Sequence, residues 1–150
     1  MSDNKISKQM NNNPKYVIFN AEGKILGRLA TEIAKVLSGK NKVDFMPNMG
    51  GSDWAIVINS DKIRLSGSKA KKKLYWKHSG YPGGIKSINF DDLLKKDSTK
   101  IIELAVKGML PKNKLSREAM KRLRVFKNEK HNFGRQIKGQ ENKNINKEAK

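Results

Sequence analysis

Five consecutive apolar residues, Trp54-Ala55-Ile56-Val57-Ile58, constrain the fold of this chain more than any other feature. A strand with one wet face alternates apolar and polar residues, whereas a strand without alternation is buried on both faces, as in a parallel sheet. A parallel partner needs a crossover, and the preceding residues supply one. Tyr16 to Phe19 is a short run of β-formers closed by the turn signal Asn20-Ala21-Glu22-Gly23. From Gly27 to Leu37, the apolar residues Leu29, Ala30, Ile33, Ala34 and Leu37 recur at helical spacing. Arg28, Glu32 and Lys35 take the opposite face, and Gly39 stands where a C-terminal cap belongs. Strand, helix and strand within about 45 residues make a βαβ unit, for which a right-handed crossover is expected.

The rest of the chain is less regular. Ile63 to Leu65 and Leu74 to Lys77 are candidate short strands, the second a lysine-bearing sheet edge. Gly80-Tyr81-Pro82-Gly83-Gly84 is a loop, and Phe90 to Leu94 a short helix. Ser98 to Met109 is a longer helix with Ile101, Ile102, Ala105, Val106 and Met109 on one face. Pro111 stops it, Ser116 is placed to cap a following helix, and Leu123 to Phe126 can return as a strand. Residues 1–14 read as a flexible N-terminal tail, 15–131 as one α/β domain and 132–150 as a basic C-terminal tail.

Charge bears on function. The 150 residues carry a formal charge of +19, and 36% of them are apolar, enough for one core but not plainly two. Residues 1–60 hold a balance of +3 and residues 61–150 one of +16, so a polyanionic partner is expected to meet mainly the second part. With no cysteine, disulfides and thiolate metal sites are excluded. No apolar run approaches the roughly 20 residues of a membrane span, and the N-terminus has no secretory hydrophobic segment. A cytoplasmic protein is expected.

Three clusters are candidates for anion contact. The densest is Val106 to Phe126, where Lys107, Lys112, Lys114, Arg117, Lys121, Arg122 and Arg124 surround one acid, Glu118. Lys114, Arg117, Lys121 and Arg124 are spaced to share a helical face, leaving Leu115, Ala119 and Leu123 for the core. A solvated helix surface is the plain alternative, yet such surfaces usually interleave acids for i,i+4 pairing. The second cluster is the run Lys69, Lys71, Lys72, Lys73 leading into Tyr75, Trp76 and His78. Lysines neutralise phosphates and planar rings stack on unpaired bases, the two needs of irregular RNA. Alternatively, one ring packs inside and the lysines keep an edge strand soluble. Neighbouring strand residues point to opposite faces, so at most one of Tyr75 and Trp76 is free. Third, the glycines Gly80, Gly83 and Gly84 would let a sugar–phosphate chain approach, or merely make a tight turn. His78 could bond a phosphate or be structural.

Catalysis finds little support. Gly23-Lys24-Ile25-Leu26-Gly27 follows a strand and opens a helix, but lacks both GxGxxG spacing and a GKS/GKT ending. The only histidines are His78 and His131, and no Ser/His/Asp or metal-ligand set emerges. The paired acids Asp91 and Asp92 suit a helix start. No catalytic residue, metal, cofactor or small-molecule substrate is expected. A DNA-binding regulator would want a helix-turn-helix or a symmetric dimer, and no such pattern is visible.

Four ordered segments resemble the bacterial form of the large-subunit ribosomal protein thirteen family. They are NAEGKILGRLATEIAKVLSGK (20–40), DWAIVINSDKI (53–63), YWKHSGYPGGIKSI (75–88) and AVKGMLPKNKLSREAMKRLRVF (105–126). The resemblance spans about residues 15–131. It implies a three-layer α/β/α domain with a small parallel sheet, and a structural constituent of the large ribosomal subunit that binds its ribosomal RNA early in assembly, beside neighbouring ribosomal proteins. By matching position, it places Lys69, Lys71 to Lys73, Tyr75, His78, the Gly80 to Gly84 loop and the Lys107 to Arg124 segment against RNA. The chain departs from the family at Asn48, where a histidine is frequent. It departs again at His131-Asn132-Phe133, where His-Pro-His is common. The contacts of those histidines are not carried over.

Overall fold

The computed structural model describes residues 14–43 and 45–137; the remainder of the two expected tails, 1–13 and 138–150, lies outside the described residues. Its first unit is the expected βαβ: strand β1 (Tyr16–Asn20), helix α1 (Leu26–Ser38) and strand β2 (Trp54–Ile58). β1 and β2 are parallel, Tyr16 opposite Trp54 through Asn20 opposite Ile58. Leu123–Val125, strand β5, pairs in parallel with the other edge of β2, giving the order β1-β2-β5. β2 is therefore central, and Ala55, Ile56 and Val57 are fully buried.

Both crossovers advance in the same direction across the sheet, so right-handed connections put their helices on one face. The core is built accordingly. It joins Leu29, Ile33 and Leu37 of α1 to Ala55 and Val57 of β2 and to Ile101, Ile102 and Val106 of helix α3 (Phe90–Met109). By the period of two, Tyr16, Trp54 and Ile56 face the other way. There Trp54 stacks on Tyr16 at 5.7 Å, and Phe133 lies 6.2 Å from Trp54. Packing on this face thus continues past residue 131, and residues 134–137 follow as a single helical turn.

α1 ends as its sequence suggests. Gly39 adopts φ 80°, and the N–H groups of Gly39 and Lys40 bond the carbonyls of Val36 and Lys35. Gly51 crosses this end so closely that a Cβ there would lie 2.8 Å from the Leu37 carbonyl oxygen. Asp53, buried, ties the return: it accepts from the Lys42 ammonium at 2.7 Å and the Lys15 N–H at 3.0 Å.

α3 is broken at Asp97, with φ −159° and ψ 93°, where the carboxylate accepts from the N–H and hydroxyl of Thr99 and caps the second half. The two helices expected from the sequence thus meet at one residue. The buried Ser98 hydroxyl bonds Asp61 and Ser60, which fastens the 3-10 turn Ser60–Lys62 to α3.

Three local expectations differ. Ile63 to Leu65 is not a strand; one bridge, between Ile25 and Arg64, is all that forms. Strand β3 (Leu74–His78), after the single turn α2 (Lys69–Lys72), pairs antiparallel with an unanticipated strand β4 (Ile85–Asn89), a ribbon separate from the main sheet. Helix α4 (Lys114–Lys121) is capped by Asn113, not Ser116. The Asn113 side chain accepts from the Ser116 N–H at 2.9 Å, and the Ser116 hydroxyl donates back to the Asn113 carbonyl at 3.0 Å.

Candidate nucleic-acid interface

α4 is amphipathic because its apolar residues recur every four. Ala119 is buried and Leu115 half-buried against the body, while Lys114, Arg117 and Lys121 are exposed. The helix stops at Lys121, so Arg124 does not extend its face as the 3-4-3 spacing suggests. It sits exposed on β5, its guanidinium 5.8 Å from the Trp54 ring centroid. Lys107, at the end of α3, and Lys112, in the connection, are exposed beside this surface.

Arg122, expected among the RNA-facing cations, is turned inward. Its Nη2 donates to the Leu37 carbonyl at 3.2 Å, and its Nε is buried with no partner among the described residues. Burial holds its pKa below the ordinary guanidinium value. A cation against the last turn of α1 complements the helix dipole, so Arg122 locks α4 to α1 and takes no part in the outer coat.

The second cluster is reshaped by the β3–β4 ribbon. In antiparallel pairing, residues directly opposite share a face. Tyr75 and Ile88 are opposite and half-buried, packed on the core. The Tyr75 hydroxyl is buried without a hydrogen-bond partner among the described residues, and burial pushes its pKa up. Lys73 lies 5.3 Å from the Tyr75 ring centroid, half-buried, whereas Lys69, Lys71 and Lys72 are exposed. The ring left free is that of Trp76, 68% exposed on the opposite face with Leu74 and His78. Tyr75, matched to RNA contact by resemblance, thus has its ring turned to the core.

The glycine loop is the hairpin turn. Gly80 and Gly83 take φ 90° and 71°, and the Ser79 N–H donates to the Gly84 carbonyl at 3.1 Å. A Cβ on Gly84 would collide with the Ser79 side chain. Turn geometry accounts for these glycines without a ligand. The His78 Nδ1 accepts from the Gly80 N–H at 2.9 Å, so the exposed ring presents Nε2 outward as a donor.

The two cationic clusters occupy opposite ends of α3. β4 runs into its first residue and α4 begins shortly after its last; twenty residues at ~1.5 Å each separate them by up to ~30 Å, less the kink. Among the described residues, none of the candidate cations forms an ion pair with a carboxylate; Lys24, Lys42, Lys62 and Lys100 form the pairs present. Sequence reasoning passed over Lys77 and Lys86, opposite each other in the ribbon and both exposed. The signal for them was the hairpin turn itself. Among the described residues no cluster of three or more His, Asp or Glu could hold a metal ion, and no helix is long and apolar enough to cross a membrane.

Comparison with known proteins shows the family. Residues 14–132 match the family model described as Ribosomal protein L13. Over 118 residues the chain is 48% identical to the "Large ribosomal subunit protein uL13" of Coxiella burnetii (strain CbuG_Q212), covering 79% of this chain and 83% of that protein. It is also 48% identical over 116 residues to the protein of the same name from Stutzerimonas stutzeri (strain A1501), covering 77% and 82%. The relatives carry the names of ribosomal proteins, not of enzymes. This chain belongs to the ribosomal protein L13 family.

Proposed function

We propose that this chain is a structural constituent of the large ribosomal subunit that binds large-subunit ribosomal RNA through its basic half and acts early in subunit assembly. Its residence is then the ribosome of the cytoplasm, among neighbouring large-subunit proteins. The observation that carries the reading is the outer face of α4. Lys114, Arg117 and Lys121 project together from a helix whose inner face is held in the core; Lys107 and Lys112 precede this helix and Arg124, on β5, follows it. The candidate RNA-binding residues are these six with Lys69, Lys71, Lys72, Lys73 and His78. Gly80, Gly83 and Gly84 shape the turn that brings the ribbon to the nucleic acid. Their work is phosphate and sugar contact, with no bond made or broken.

Two clusters at the ends of α3 suit a folded RNA better than a uniform rod, because they can engage separate backbone segments of one compact polymer. RNA recognition of this kind depends on shape and on unpaired regions. Sedimentation of native extract through a gradient at low salt with magnesium tests the reading. The protein is expected to travel with the large subunit and its assembly precursors; migration free of both would refute it.

A further inference from the structure

We propose that the outward face of the β3–β4 ribbon is a seat for an unpaired nucleotide, with the Trp76 indole as its stacking platform. The proposal rests on the RNA-binding reading and deepens it. Trp76 is 68% exposed, with Leu74 on one side, His78 on the other and Ser87 directly across the ribbon. A bare indole on a soluble surface presents a large planar apolar area, which needs a cover of matching shape. Its surroundings select that cover. Residues 65–90 contain six lysines and no acid. On the ribbon's other face Lys77 and Lys86 stand opposite each other, both exposed, a like-charge pair that an anion lying near the ribbon would relieve. A protein partner would have to bring both an apolar patch and many carboxylates. A nucleotide brings a planar ring and a phosphate together.

The polar neighbours fit the same ligand. The His78 ring is held by the Gly80 N–H at Nδ1, which leaves Nε2 to donate to a phosphate or ribose oxygen. Ser87 offers a hydroxyl on the Trp76 face. Tyr81, at the hairpin tip, is 76% exposed and adds a second ring near the end of the ribbon. Within a duplex, bases are already stacked and cannot lie on an indole, so the seat selects single-stranded, bulged or loop nucleotides.

The test uses the full chain and its variants Trp76→Phe and Trp76→Ala, with a short oligouridylate, an RNA duplex of equal length and inorganic polyphosphate as probes. The chain has two tryptophans, so Trp54 emits in every variant as an internal reference. Oligouridylate is expected to quench the wild-type fluorescence, and the duplex and polyphosphate to leave the Trp76 component unchanged. The quench should vanish in Trp76→Phe, whose affinity stays close to wild type. Trp76→Ala should weaken oligouridylate binding about 5- to 150-fold, the range for loss of one base–aromatic stack, and duplex binding much less. Oligouridylate binding that persists without a quench, or equally in Trp76→Ala, overturns the seat while leaving RNA binding intact. Quenching by a mixture of large-subunit proteins but not by RNA would assign the face to a protein neighbour and overturn it as well. Failure of every RNA probe and of ribosomal RNA to bind removes the underlying reading itself.

Discussion

Tyr75 and Trp76 show how one residue of register decides a site. Both are aromatic, both follow the lysine run, and a strand must send them to opposite faces. Which goes inward depends on where the ribbon docks on the core, and the local sequence does not encode that. Tyr75 is inside with an unpartnered hydroxyl, so Tyr75→Phe removes a buried polar group and is expected to leave stability unchanged or raise it by about 1 kcal/mol in chemical denaturation. A sign argument adds a pH dependence. Burial raises the folded-state phenol above its unfolded value near ~10. This contribution is complete below that pH and lost as pH rises through the folded value, because the unfolded chain gives up its proton first. The wild type should therefore lose stability more steeply above about pH 10 than Tyr75→Phe does; parallel alkaline profiles would show that the hydroxyl is solvated. Arg122 is the corresponding case among cations. Its neighbours Lys121 and Arg124 point out, whereas Arg122, still αR in its backbone, follows Leu115 and Ala119 on the inner stripe and reaches the Leu37 carbonyl.

At the scale of elements, what could be read depended on how much of each segment's pattern was set by its own burial. β2 and α1 were legible because one is buried on both faces and the other on a clean stripe. β4 was not: of Ile85 to Asn89 only Ile88 is half-buried, so no alternation is written into it. The cap of α4 was misplaced by one turn because Ser116 and Asn113 are both good capping residues, and the reciprocal pair they form shows in the backbone, not in composition. Asn113→Ala is expected to cost about 0.5–2 kcal/mol, measured by denaturant unfolding; no change would mean that the cap is idle. In the core, Ile33→Asp or Val57→Asp buries an unpaired charge and should leave no cooperatively folded protein. A sharp unfolding transition in either variant would refute the core assignment. On the outer face of α4, Lys114→Glu with Arg117→Glu should leave the circular dichroism unchanged. It should lower the slope of log affinity against log salt by about 2, roughly one for each phosphate that is no longer neutralised. Unaltered RNA affinity would mean that the basic surface lies elsewhere.

For the molecule as a whole, charge asymmetry and fold fit one account. The half with a balance of +3 supplies β1, α1 and β2, the rigid frame; the half with +16 supplies the ribbon, α3 and α4, displayed from that frame at two ends of one helix. A frame of this kind resists the self-repulsion of its coat, and a folded polyanion removes that repulsion. The central claim is that counterion release from RNA phosphates dominates binding. The most direct test is the affinity of the full chain for large-subunit ribosomal RNA across a salt series. With about 6–10 phosphates neutralised, affinity should fall by about 10³–10⁵ between roughly 50 and 200 mM salt. Affinity that barely changes over that range, or no binding at its low end, would contradict the account.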